Sequence, residues 1–111
     1  MGPTMPSPRA VMEAEMSEKE LQQWVIDLAK RTGWRVYFTW NSKHSPKGWV
    51  DLILLRGIYM LCLELKTEKG RVGPEQAETI QALSTIRRVV VDVIRPRHRD
   101  QLEKILTAKA R

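Results

Sequence analysis

A chain of 111 residues that is 42% hydrophobic suits one small domain with a packed core and leaves no room for two. Its apolar runs fall far short of the roughly twenty residues of a membrane span, and no leader pattern opens it, so a cytoplasmic protein with no membrane partner is expected. One cysteine, Cys62, excludes an intrachain disulfide, and a net charge of +6 favours a polyanionic partner such as nucleic acid.

Residues 1–15 hold three prolines, a glycine and no sustained periodicity, which predicts a flexible or loosely docked arm ahead of a domain over 16–111. Ser17 and Glu20 then form a capping-box pattern. Leu21, Trp24, Val25, Leu28 and Ala29 recur at helical spacing until Gly33. Glu20 carries two readings, a cap for the Ser17 amide or an acid turned toward the sheet. Trp34–Trp40 alternates as a strand with Trp34, Val36, Phe38 and Trp40 on one face. The loop that follows, 41–48, contains Lys43, His44 and Lys47. The two lysines are candidate phosphate contacts, and His44 reads as a solvated loop histidine before a catalytic one. Trp40 and Trp49 are either sheet cover or surfaces on which a splayed base can stack.

Two apolar runs, Val50–Leu55 and Ile58–Lys66, flank Arg56-Gly57 and predict an antiparallel hairpin. Thr67–Gly73 reads as a mobile flanking loop, with Lys69 and Arg71 as candidate DNA contacts. Pro74 opens a helix toward Ile86 that carries Gln76 in its first turn. Arg88–Ile94 is a β-branched run predicting an interior strand covered on both faces, reached by a parallel crossover. Pro96 ends it, and a closing amphipathic helix runs from about Arg99 to Ala108. Arg87, Arg88, Arg95, Arg97 and Arg99 either widen a phosphate-binding surface or are simply solvated. The order predicts an α/β fold, α-β-β-β-α-β-α, with a mixed sheet of about four strands.

The hairpin holds the chemistry. Its pairing brings Asp51 near Glu64, in a register the residue count leaves open, and period-two alternation puts Glu64 and Lys66 on the face opposite Leu61, Leu63 and Leu65. Buried carboxylates need a compensating partner. A hard divalent ion supplies one: Asp51, Glu64 and the main-chain carbonyl of Leu65 form an oxygen donor set suited to Mg²⁺ or Mn²⁺. Lys66 is then placed to orient a water or to stabilise charge developing on a phosphate. The plainer alternative is a surface Glu64–Lys66 ion pair on an edge strand.

The pattern Asp51…Glu64-Leu65-Lys66 resembles the PD-(D/E)xK nuclease superfamily. Its setting, from Glu20 through Gly48, Asp51-Leu52, Glu64-Leu65-Lys66 and Gly70 to Gln76, resembles the small VRR-NUC group within it, whose relatives include Holliday junction resolvases. The residue before the aspartate, usually proline there, is Val50 here, which alters rigidity but removes no ligand. The resemblance implies a restriction-endonuclease-like core and metal-dependent DNA cleavage. Asp51 and Glu64 would be ligands, Lys66 the catalytic lysine, Glu20 an accessory acid and second-ion candidate, and Gln76 a helix residue reaching back to the site. It further implies branched, flap or four-way-junction DNA as substrate, a homodimer, a role in DNA repair, and a bacterial or phage origin. The competing reading is a DNA-binding module that uses the same basic face without cutting.

Overall fold

The computed structural model describes residues 5–39 and 46–109. The elements are α1 (Pro8–Glu15), α2 (Glu18–Arg31), β1 (Arg35–Phe38), β2 (Leu52–Arg56), β3 (Tyr59–Leu65), α3 (Pro74–Ser84), β4 (Val89–Ile94), a 3₁₀ turn at Pro96–His98, and α4 (Arg99–Thr107). The four strands lie in the order β1-β2-β3-β4, with antiparallel pairing through β3 and β4 parallel to β3. This is the expected α/β fold with a mixed four-strand sheet, preceded by one additional helix.

Ser17 starts α2 with a reciprocal capping box, and the helix buries Leu21, Val25, Ile26, Leu28 and Ala29. These meet Leu52 and Leu54 of β2, Leu61, Leu63 and Leu65 of β3, and Leu102 and Leu106 of α4 in the main core. Each such leucine contributes about 2 kcal/mol by leaving water, so this face carries most of the stabilisation. The opposite face is thinly covered. There Leu83 of α3 meets Val50 and Cys62 in a far smaller cluster, and it is on this face that the sheet can present polar side chains.

In the hairpin Leu52 pairs with Leu63 and Arg56 with Tyr59, leaving Gly57 and Ile58 as the turn. The turn therefore sits one residue later than Arg56-Gly57. Gly57 has φ +59°, a conformation that side chains disfavour, and no bulge interrupts the register.

Two expectations are corrected. Residues 1–15 do not all lack regular structure: Pro8–Glu15 is helical, with the Ser7 hydroxyl accepting from the Ala10 amide. This helix buries no residue and is held to α4 by an Arg9–Asp100 ion pair at 2.9 Å, and its 8 residues make too few turns for an apolar period to stand out in the sequence. Nor is β4 interior. It is the outer strand, with Val90 52% exposed and Asp92 exposed, because a run of valines reads alike whether one face or two are covered. Asp92 was the break in that run.

Candidate active site

Extending the β2–β3 register by one residue beyond Leu52 and Leu63 places Asp51 beside Glu64, on the thinly covered face with Ile53 and Cys62. Glu64 is only 1% exposed. The Leu65 amide donates to Asp51 Oδ2 at 2.8 Å, and the Thr39 amide donates to the Asp51 carbonyl at 3.1 Å, fixing the end of β2 between its neighbours. From the first turn of α3, Gln76 Nε2 donates to Glu64 Oε1 at 2.9 Å, while its own Oε1 accepts from the Gly73 amide at 2.9 Å. Gln76 thus caps its helix and orients the buried carboxylate with one side chain. Lys66 Nζ lies 3.7 Å from Glu64 Oε1 and 4.0 Å from Glu18 Oε1.

The other oxygen, Glu64 Oε2, is buried and has no hydrogen-bond donor among the described residues. Burial, the neighbouring Asp51 charge and a close approach to the Asp51 carboxyl push the Glu64 carboxyl up to about 8, with Lys66 acting in the opposite direction. The nearby Asp51 charge and burial together favour the protonated form of Glu64 or a second cation beside it.

No family model, no curated protein sequence and no solved structure matches the chain. The resemblance to nucleases rests on the residues themselves.

Among the described residues no three His, Cys, Asp or Glu side chains converge as a metal-binding group. The available oxygen donors are the two carboxylates and the Leu65 carbonyl, which in an extended strand faces the same edge as the Leu65 amide that reaches Asp51. The orphaned Glu64 oxygen and this all-oxygen set fit a hard divalent cation with water completing its shell.

Glu20 is not brought to this cluster. It is exposed, its Oε1 accepts from the Ser17 amide at 3.2 Å, and its own amide donates to the Ser17 hydroxyl at 3.1 Å. The acid that α2 turns toward Lys66 is Glu18, which no sequence pattern singles out. Lys47 is exposed at the mouth of a cleft beside Asp51, and Lys69 and Arg71 are exposed in the loop after β3. Trp40, Lys43 and His44 lie outside the described residues.

That loop is not free to move as expected. Arg95 Nη1 donates to the carbonyls of Thr67 and Gly70 at 2.7 Å each and of Glu68 at 3.3 Å, while Glu68 accepts from the Arg97 amide at 2.7 Å. Arg97 also pairs with Glu68 through its guanidinium, and Arg99 lies over the Trp24 ring. Three of the five flanking arginines therefore do structural work.

The cleft, about 390 Å³, runs between the Pro46–Trp49 turn and the first turn of α3, with Asp51 in its wall. Gly48 makes it possible: φ is +82°, and a Cβ there would stand 2.5 Å from the Glu75 carbonyl oxygen. The turn is thus seated directly on α3.

Proposed function

We propose that this protein is a metal-dependent DNA endonuclease of the PD-(D/E)xK type, related to the VRR-NUC group. The observation that carries the reading is Glu64: a carboxylate 1% exposed, beside Asp51, with one oxygen fixed by Gln76 and the other without a donor among the described residues. Such a group costs several kcal/mol unless something compensates it, and Asp51, Glu64 and the Leu65 carbonyl would hold Mg²⁺ or Mn²⁺. Bound there, the ion supplies Lewis-acid polarisation of a phosphodiester and acidification of water.

The chain's own groups do the rest. Gln76 keeps Glu64 Oε1 oriented, and Lys66 stands over the same oxygen with its ammonium placed to align a nucleophile and to stabilise charge on the phosphate during in-line attack. Glu18 accompanies Lys66 on the α2 side, in the place assigned to Glu20 by the resemblance. Lys47, Lys69 and Arg71 offer phosphate contacts around the site. So small a domain buries little DNA surface alone, and a homodimer with two sites on one branched substrate extends the reading; β4 at the sheet's edge offers it a pairing surface.

The test is cleavage of labelled single-strand, duplex, flap and four-way-junction DNA with Mg²⁺, Mn²⁺ or EDTA. Wild type should cut with metal only, and Asp51→Ala, Glu64→Ala and Lys66→Ala should lose cutting while keeping a cooperative melt. A fully active Lys66→Ala protein would sink the mechanism. DNA binding without cutting under every metal would favour the non-catalytic reading. Sedimentation that shows a monomer at every concentration would remove the dimer.

A further inference from the structure

The cleft beside Asp51 is more than a passage to the carboxylates. One wall is Trp49, 40% exposed although it adjoins the small apolar cluster through Val50. Trp49 also lines a smaller recess on the β1 side, which it shares with Asp51 and with Tyr37, 50% exposed. Large aromatics this exposed next to a buried polar centre are unusual, since covering them would stabilise the fold. Their support is firm. The Trp49 amide donates to the Pro46 carbonyl at 3.3 Å, closing the turn, and Gly48 lets that turn rest on the Glu75 backbone.

The chemistry of the lining selects the occupant. Asp51 and Glu75 border the cleft, so a phosphate seated inside it meets repulsion, whereas a planar base meets an aromatic face and carboxylates able to accept from ring or exocyclic N–H groups. Lys47 at the mouth suits a flanking phosphate. A volume of about 390 Å³ is that of a small-ligand site, enough for one nucleotide and too little for a base pair with both backbones. Bases within a duplex are stacked and cannot enter without being extruded.

We infer that this cleft is a subsite for one unpaired nucleobase next to the scissile phosphate, with Trp49 as its stacking surface, so that the substrate class is DNA carrying unpaired nucleotides at the cut position. The inference rests on the nuclease reading for the word scissile, but base capture by Trp49 is measurable without cleavage. The experiment is metal-free binding of a short fluorescent oligothymidine and of a blunt duplex to wild type, Trp49→Ala and Trp49→Phe, each checked by thermal melting.

Trp49→Ala should bind the single strand about tenfold more weakly, Trp49→Phe should recover most of the loss, and duplex binding should hardly change. Unlabelled oligothymidine should also quench tryptophan emission in wild type more than in Trp49→Phe, a readout that survives if the alanine variant fails to fold. Single-strand affinity unchanged in Trp49→Ala, equal loss on single strand and duplex, or equal quenching in wild type and Trp49→Phe would overturn the subsite. Those results leave the nuclease reading intact wherever Glu64→Ala abolishes cutting. Conversely, Trp49-dependent single-strand binding by a protein that cuts nothing would retain the subsite and remove the nuclease.

Discussion

Glu64 ties stability to pH, and the sign of that linkage is fixed. Its carboxyl sits at about 8 in the fold against an ordinary 4.5, so the folded chain holds a proton that the unfolded chain has released over that range. The associated stability is complete below about pH 4.5 and is lost as pH rises toward 8. In EDTA, wild type should lose several kcal/mol relative to Glu64→Gln across this window, read by urea denaturation at a series of pH values. Mn²⁺ should restore wild type most at the alkaline end, where the ion no longer competes with a proton, and leave Glu64→Gln nearly unmoved. Parallel pH profiles for the two proteins would mean that Glu64 is ionised and compensated in some other way. The pair was partly legible in the sequence: charges at the far ends of two apolar runs around a turn come near one another, and the Gly57-Ile58 turn sets the register that the residue count leaves open. Glu18 was not legible. The capping box singled out Glu20 by the same spacing that commits its carboxylate to Ser17, and nothing local tells which acid of the first helical turn faces the lysine that follows β3.

At the level of elements, the connection from β3 to α3 decides whether Lys66 and Gln76 keep their places, and Arg95 holds that connection by three carbonyls. A Cβ at Gly70 would stand 3.5 Å from the Lys66 side chain, so the pinned loop folds back along the lysine stem. Arg95→Ala should cost about 3 kcal/mol of stability, because several charge-assisted hydrogen bonds are lost together, and should lower kcat more than it raises KM. Arg95→Lys should recover little of either, since all three bonds leave Nη1 and a lysine ammonium stops one bond short of that position. Unchanged denaturation midpoint and turnover in Arg95→Ala would show the loop to be self-supporting. Such a clamp has no sequence signature: the acceptors are carbonyls 25 to 28 residues away, and an arginine beside a strand end looks the same whether solvated or buried. Arg56 repeats the lesson, donating to Thr32, Leu106 and Ala108 carbonyls and lying 4.3 Å from the Trp34 ring, although its position beside a glycine marked it only as turn.

Across the whole molecule, the sheet divides two tasks. One face packs α2 and α4 and supplies stability, while the other leaves Asp51, Glu64 and the Trp49 cleft under the single helix α3. The fold was readable at this scale because helix and strand periods differ and Pro74, Pro96 and the glycine turn punctuate them; α1 was not, being only 8 residues long, nor was the exposure of β4, as a run of valines reads alike with one face covered or two. The net charge of +6 is likewise a property of the whole chain, and it predicts how binding responds to salt. If Lys47, Lys69 and Arg71 each neutralise one phosphate of a single strand, the logarithm of the association constant should fall against the logarithm of salt with a slope of about −2. Replacing each by alanine should reduce that slope by roughly 0.7, without changing the single-strand preference that belongs to Trp49. Fluorescence anisotropy over a salt titration measures both quantities at once. A slope near zero in wild type, or one unmoved by the triple alanine variant, would place the phosphate contacts elsewhere on the surface, with Arg87 and Arg88 the next to be tested.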